Sequence, residues 1–210
     1  MEFKEVMRKR RAVNFFDPSK EVTPDELKVI LETAALCPSS MNFQPWQVIV
    51  VKSPEAKEKL MKAAFNQVKI VEAPVTLIIL ADKDGWRPGH PTVEKVWQDM
   101  VRLGYLQEDK RRGFEMGPHK LYGDGEKSLA FAVKNAAFFA LAIMLAAADL
   151  GIDSHPMDGF DHEAVRQAFN IPENFFVPVL IALGHFYGEK YTLMPPKWRK
   201  SWEELIWKVV

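Results

Sequence analysis

The nine residues from Pro38 to Trp46 carry the most chemically informative side chains of the sequence. They read Pro-Ser-Ser-Met-Asn-Phe-Gln-Pro-Trp, which places two hydroxyls, two carboxamides and a thioether between two prolines. These groups can hydrogen-bond to a polar heteroaromatic ring and pack against it, but none is a strong acid or base. The stretch therefore suits holding a cofactor. The alternative is a polar turn stabilised by its own Ser and Asn side chains.

Two pairs of basic residues at opposite ends of the chain, Arg10 with Arg11 and Lys197 with Arg199, are candidates for binding phosphate. Arginine grips phosphate oxygens with two parallel hydrogen bonds, and lysine adds a mobile positive charge. Either pair alone is equally consistent with a solvated surface. Taken with the polar stretch, the two pairs indicate an anionic cofactor that contains a ring.

Signatures of several other enzyme classes are missing from the sequence. It contains no G-x-G-x-x-G, no G-x-x-x-x-G-K-[ST] and no G-x-S-x-G motif, and we interpret the similar-looking Gly123–Ser128 as a turn. The five histidines lack the spacing of metal ligands, and we expect them at the surface or at helix ends. We expect the single cysteine, Cys37, to be an inert core residue. The sequence therefore predicts neither a metal site nor a protein nucleophile.

Composition narrows the class of protein further. With 210 residues, 48% of them hydrophobic, the chain can fill one core, so we predict a single domain spanning 1–210. Zero net charge argues against an electrostatic grip on nucleic acid or an anionic membrane, although nucleic-acid binding through Lys9–Arg11 stays as an alternative. The lone cysteine and the charged start predict a cytoplasmic protein. The longest uncharged apolar run, 136–148, is shorter than the roughly 18–20 residues that span a bilayer.

Hydrophobic patterns indicate the elements that position these residues. Thr23, Pro24 and Glu26 form a helix-start signature. The predicted strands are 47–51, 75–81 and 177–183, and Pro178 places the last near a sheet edge or at its own beginning. Residues 129–150 form the longest predicted helix, which is apolar nearly all round and so is expected centrally or in an oligomer interface.

Three further segments complete the prediction. Residues 155–161 are interpreted as a compact turn in which Asp161 caps the following helix. The mixed-charge stretch 107–127 is predicted to be a mobile, lid-like excursion. A terminal amphipathic segment that contains Trp202 must bury its apolar face either on its own domain or on a partner subunit.

The sequence resembles the FMN-dependent nitroreductases over almost its full length. Five segments carry the resemblance, in order: Lys9–Asp17, Pro38–Trp46, Asn66 with Lys69, Pro156–Phe160 and Pro196–Arg199. The block P-S-S-x-N-x-Q-P-W and the turn P-x-[ED]-G-F are specific when they occur together. The resemblance implies an α+β fold with a mixed, mainly antiparallel sheet flanked by helices, and an intertwined homodimer with FMN at the subunit interface.

The resemblance also implies the chemistry and the binding residues. NADH or NADPH would give hydride to flavin N5 and leave, after which a nitroaromatic, quinone or similar acceptor would take the electrons in a ping-pong cycle. No side chain would have a catalytic role, because the flavin carries the reaction. The residues implied in cofactor binding are Arg10, Arg11, Ala12, Asn14, Pro38, Ser39, Ser40, Asn42, Asn66, Lys69, Pro156, Met157, Asp158, Gly159, Lys197 and Arg199.

Several positions depart from the family pattern. Ala12 stands where a small polar residue is usual, and Asn14 stands where a basic residue is frequent. His155 and Asp158 occupy the turn where members vary, and the 82–127 segment that shapes the substrate pocket in this family matches no known pattern. Two alternatives therefore stay open: a protein of the same fold that uses reduced FMN for reductive dehalogenation or flavin cleavage, and a flavin-binding protein with little turnover.

Overall fold

The structure is a computed structural model that describes residues 2–123 and 125–210. Asp124, inside the predicted 107–127 excursion, therefore lies outside the described residues. The helices are α1 Phe3–Lys9, α2 Pro24–Ala34, α3 Pro54–Ala63, α4 Lys69–Glu72, α5 Pro91–Arg102, α6 Arg111–Tyr122, α7 Gly125–Asp149, α8 His162–Ala168 and α9 Trp202–Leu205. The strands are β1 Trp46–Val51, β2 Val75–Asp82, β3 Asp153–Met157 and β4 Phe175–Gly184, with short 3-10 turns at Ser40–Asn42 and Glu108–Lys110.

The four strands form one sheet in the order β1-β2-β4-β3, and every strand pairing is antiparallel. An isolated parallel bridge joins Ala12 to Ser154 and brings the N-terminal segment to the β3 edge. All eight residues of β2 are buried, because helices cover both faces of the sheet. Buried apolar residues accordingly form two clusters, one beneath α2 and α7 and the other beneath α3, α4 and α8. The predicted α+β class with a mainly antiparallel sheet is confirmed.

The predicted helix starts are confirmed by their caps. The Thr23 hydroxyl accepts the Glu26 N–H at 3.2 Å, while the Glu26 carboxylate accepts the Thr23 N–H at 2.8 Å. Asp161 likewise accepts the Ala164 N–H at 2.9 Å and opens α8. Such caps satisfy N–H groups that the first helical turn leaves free, and each typically contributes about 1 kcal/mol.

Two predictions about the strands are wrong. Pro156 and Met157 do not lie in a turn: they pair with Ile181 and Leu180 as part of β3. A proline is tolerated there because β3 is an edge strand and needs no donor on its outer side. The strand that contains Pro178 is central, not at an edge, and begins before that residue. The proline is accommodated by a register irregularity opposite Ile79 and Ala81 of β2.

Helix α7 is the longest helix and packs against β2, β4 and α2. By length and composition it is also the one described helix that could cross a membrane, but here it supplies ten buried residues to the core side of the sheet. Its outward face is still apolar, with Phe138 and Leu141 each 45% exposed. The helix was expected either in the centre of the fold or in an oligomer interface. Most of it lies in the centre of the fold, and one apolar face is exposed.

The 107–127 excursion contains α6, whose Phe114 is buried against Phe43 and Trp97. Arg111 at the start of α6 forms ion pairs with Glu94 of α5 and with Glu115, and its guanidinium lies 5.2 Å from the Trp97 ring centre. The excursion is therefore tied to α5. Its mobility stays a prediction.

The chain after β4 runs over the surface. Tyr191 stacks on Phe15 with ring centres 3.9 Å apart, and beyond it the large apolar side chains of the tail are exposed. Trp198 and Trp202 are 71% and 72% exposed, and Trp207 is 99% exposed. The terminal helix is reduced to Trp202–Leu205. Docking of this segment on its own domain, one of the two expectations, is therefore wrong.

Candidate functional site

Basic residues from three separate parts of the chain meet at the β3 edge. Arg10 ends α1, with its backbone N–H donating to the Val6 carbonyl at 2.8 Å. The next residue, Arg11, donates from its guanidinium to the Met194 carbonyl, which ties the surface tail to the N-terminal segment. We call Arg10, Arg11, Lys69, Lys197 and Arg199 the cationic cluster.

The electrostatics of the cationic cluster favour an anion. The pKa of Arg10 lies below its ordinary value, first because the guanidinium is partly buried and second because the charge of Arg199 is close. Neither arginine forms an ion pair with a carboxylate among residues 2–123 and 125–210. A partly buried guanidinium with a second positive charge near it is unfavourable unless a negative group joins them.

Lys69 is positioned by a relay of hydrogen bonds. Its ammonium group donates to the Gln67 side-chain oxygen at 3.2 Å, and the Gln67 amide donates to the Gly159 carbonyl at 2.7 Å. Asn66, just before, has a left-handed backbone with φ 58°, a conformation that Asn tolerates better than most residues. Burial lowers the pKa of Lys69. The structure thus brings Asn66 and Lys69 next to the Asp158–Gly159 loop. The linking Gln67 was missed, because a single glutamine in a polar stretch gives no signal.

The Ser39–Asn42 loop is held by a buried residue of α7. The Ser40 N–H donates to the side-chain oxygen of Asn135 at 2.8 Å, and the Asn135 amide donates to the Phe131 carbonyl at 2.7 Å. The Ser39 hydroxyl accepts the Gln44 N–H at 3.0 Å. Asn135 is completely buried and, with Lys134, interrupts the apolar sequence of α7. That polar exception in the sequence was the available signal for its role.

The Ser39–Asn42 loop has an unusual backbone. Met41 and Asn42 have φ of 54° and 57°, and Gln44 has φ of 47°. Left-handed backbone conformations cost free energy in residues other than glycine, so these conformations persist only where surrounding contacts enforce them. The contacts around the loop therefore hold it in one defined conformation.

One chain does not bring this loop to the cationic cluster. The loop leads directly into β1, while the cluster lies at β3, at the other edge of the sheet. With strands about 4.8 Å apart, three steps across the sheet amount to roughly 14 Å. In the described part of the chain no hydrogen bond joins the two groups. The predicted site residues therefore fall into two halves, with Pro38, Ser39, Ser40 and Asn42 in one half and the remaining residues in the other.

Residues of β3 and the segment beside it complete the second half of the site. Ala12 and Asn14 are exposed, with Ala12 bridged to Ser154 and contributing no polar side chain. The Ser154 hydroxyl is buried and has no hydrogen-bond partner among the described residues. Ser154 lines a cavity of about 200 Å³ together with Arg10, Arg11 and Asp153. A buried hydroxyl without a partner, in a residue that borders a cavity with two arginines, is a further mark of a site for polar ligand atoms.

A second cavity, of about 560 Å³, opens beside the Ser39–Asn42 loop. Its lining is mostly apolar and includes Met41, Met100, Leu106 and Phe114. Asp109 and Lys110, which pair with each other at 2.7 Å, also line it. The cavity lies between the loop and the excursion, so movement of α6 would change its size.

No group of three or more metal-binding side chains occurs within 2–123 and 125–210. Cys37 is half-buried at the edge of the core, and burial raises the pKa of its thiol. The described site therefore contains binding groups and no evident protein nucleophile.

Comparison with known proteins gives the context of this arrangement. The sequence profile of the nitroreductase family matches residues 7–185. The Bacillus subtilis protein YdgI, named as an NAD(P)H nitroreductase, is 31% identical over 194 residues, which cover 90% of this chain and 91% of YdgI.

Two solved structures match over nearly the whole chain. The nitroreductase ydfN of Bacillus subtilis is 29% identical, with a TM-score of 0.90 and coverage of 99% of both chains. A nitroreductase of Exiguobacterium sibiricum, solved in complex with FMN, is 23% identical, with a TM-score of 0.83 and coverage of 99% of this chain and 98% of that one. At that identity the second match speaks for the fold alone. The family match over most of the chain, together with YdgI, shows that this protein belongs to the nitroreductase family.

Proposed function

We propose that this protein is an FMN-dependent oxidoreductase that takes electrons from NADH or NADPH and passes them, in a separate half-reaction, to nitroaromatics, quinones or similar small acceptors. The observation that carries the proposal is the pair Arg10 and Arg199, two like charges close together at the β3 edge with no carboxylate partner in the described chain. Membership of the nitroreductase family and the name of YdgI support the donor and the reaction class.

The charged hydrogen-bond donors of the cationic cluster fit the phosphate of FMN. Arg10 and Arg199 would hold the phosphate, with Lys197 and Arg11 adding positive charge, because guanidinium groups bind phosphate oxygens in pairs. Arg11 has one of its N–H groups committed to the Met194 carbonyl, so its contribution is also to fix the tail that delivers Arg199.

The flavin ring would lie along β3 and the loop that follows it. Asn66 and Lys69 would face its pyrimidine edge, where the ammonium group favours negative charge on the ring, and Gln67 keeps Lys69 beside Gly159. Pro156, Met157 and Asp158 would border the ring. When bound, FMN supplies two-electron chemistry at its N5, which no side chain of the protein can provide. The side chains bind, orient and tune, and none is assigned a proton-transfer step.

A second subunit would complete the site. The Ser39–Asn42 loop lies too far across the sheet to reach the cationic cluster of its own chain, so we infer that the loop of a partner covers the cofactor. The open apolar face of α7, marked by Phe138 and Leu141, and the exposed Trp198 and Trp207 are surfaces that such a homodimer would bury. A cytoplasmic location is consistent with this composition.

The 560 Å³ cavity beside the loop would then receive the electron acceptor. Methionine, leucine and phenylalanine side chains suit an aromatic ring, since methionine adapts to varied shapes and offers sulfur contacts to a ring face. A site of this kind tolerates several acceptors.

The test is the visible absorption spectrum of the protein purified without added cofactor, followed by anaerobic addition of NADH and NADPH. We expect a flavin spectrum that bleaches, and its return on addition of a nitroaromatic or quinone. A protein that binds FMN but stays oxidised with both donors would be a flavin-binding protein with little turnover. A protein that takes up no FMN would refute the proposal.

A further inference from the structure

His155 has a defined tautomer in this structure. Its Nδ1 lies 2.7 Å from the Val13 carbonyl oxygen, and a carbonyl can only accept. Nδ1 therefore carries the proton and donates it, which leaves Nε2 as an acceptor. The pKa of His155 is held below its ordinary value first by burial and then by the charge of Lys69, so the ring is neutral at neutral pH. Nε2 has no hydrogen-bond partner among the described residues.

The position of His155 relative to the cationic cluster is informative. The bond to the Val13 carbonyl holds the ring against the segment that follows Arg11, and the charges of both Lys69 and Lys197 act on the imidazole, so both lysines lie near it. The cationic cluster contains only hydrogen-bond donors, and the neighbouring Ala12 has no polar side chain. The Nε2 of His155 is therefore a neutral acceptor that has no partner in the described part of the chain and lies next to the donors of the cationic cluster.

We propose that Nε2 of His155 accepts a hydrogen bond from a ribityl hydroxyl of FMN, which makes His155 a residue that positions the cofactor. The inference rests on the proposed function, in which Lys69 faces the pyrimidine edge of the ring and Lys197 the phosphate. The ribityl chain is the part of FMN that joins those two ends. Its hydroxyls need acceptors when they leave water, and the cationic cluster offers none.

The proposal is tested with His155→Phe, which keeps a ring of similar size and removes both nitrogens. Three ligands separate the parts of the cofactor: FMN, riboflavin, which lacks the phosphate, and lumiflavin, which lacks the ribityl chain. We expect Kd to rise about fivefold to tenfold for FMN and riboflavin, the size of one lost hydrogen bond, and to stay within about twofold for lumiflavin. His90→Phe is the control, because the His90 ring also makes a side-chain hydrogen bond, with Nε2 3.1 Å from the Asp82 carboxylate, at the start of α5 and outside the proposed flavin site.

An equal loss of affinity for lumiflavin, or no loss for riboflavin, would overturn the assignment of His155. Nitrogen NMR of the wild-type imidazoles tests the same point without a substitution, in case the variant does not fold. There we expect the unprotonated nitrogen of His155 to shift with riboflavin and to stay in place with lumiflavin. Equal shifts with both ligands would contradict the proposal. Wild-type protein that binds none of the three flavins would refute the proposed function itself, which distinguishes the two failures.

Discussion

Replacing Asn135 by leucine should separate the stability of the protein from its affinity for FMN. Asn135 is completely buried, accepts the Ser40 N–H at 2.8 Å and donates to the Phe131 carbonyl at 2.7 Å. Leucine has the same branched shape and number of heavy atoms and neither polar group. The substitution therefore releases the Ser39–Asn42 loop and leaves helix α7 packed.

The expected magnitudes follow from these contacts. The unpaired Ser40 N–H costs about 1–3 kcal/mol and the lost bond to Phe131 about 0.5–1.5 kcal/mol. Burying a leucine side chain in place of an amide returns about 1.5–3 kcal/mol. The free energy of unfolding should thus change by no more than about 3 kcal/mol. The loop loses its fixed geometry, and we expect Kd for FMN to rise about tenfold, which corresponds to about 1.4 kcal/mol.

Flavin fluorescence titration and urea unfolding measure the two quantities on the same preparations. Asn174→Leu is the control, because it removes a hydrogen bond of 3.0 Å to Asp82 and leaves the hydrogen bonds of the Ser39–Asn42 loop in place. We expect the control to keep the wild-type Kd. If Asn135→Leu binds FMN as tightly as the wild type, the loop does not contact the cofactor and the reasoning is refuted.

Three further predictions follow from the same structure. Deleting 195–210 removes Lys197 and Arg199 with the exposed tryptophans, so we expect a colourless monomer in sedimentation experiments; a yellow dimer would contradict this. The pKa of His155 is lower in the folded chain than in the unfolded chain, so below about pH 6.5 the unfolded chain takes up a proton at this residue before the folded chain does. The free energy of unfolding should therefore be highest above about pH 6.5 and fall as the pH approaches the pKa of His155 in the folded chain. Urea unfolding at several pH values should show a shallower pH dependence for His155→Phe than for the wild type, and identical profiles would exclude this role. Arg111→Met removes the ion pairs to Glu94 and Glu115, so amide exchange should accelerate in α6 and not in α2; unchanged exchange in α6 would show that these ion pairs do not hold the excursion.

Local signals in the sequence were sufficient for the helix starts and for most strands. Thr23 with Glu26 gives both halves of a capping box within four residues, so no distant contact has to be known. The strand containing Pro156 was missed because His-Pro-Met-Asp-Gly is typical of a turn by composition. Its pairing with β4 depends on residues far along the chain, and an edge position that tolerates proline is visible only in the folded sheet.

The candidate site, too, could be predicted from the sequence only in part. Individual binding residues followed from a resemblance to a family, but their division into two halves did not follow from composition or spacing. That division depends on the strand order, which puts β1 and β3 at opposite edges. Asn135 was visible as a polar exception in an apolar helix, whereas Gln67 had no signal, because its role consists of two hydrogen bonds to groups placed by tertiary structure.

The most direct test of the central claim compares FMN with riboflavin in the wild type and in the double variant Arg10→Ala with Arg199→Ala. If these two guanidinium groups bind the phosphate, the wild type binds FMN much more tightly than riboflavin, and the double variant loses most of that difference while its affinity for riboflavin changes little. A double variant that keeps the wild-type ratio of the two dissociation constants would show that the phosphate lies elsewhere, and the assignment of the cationic cluster would be wrong.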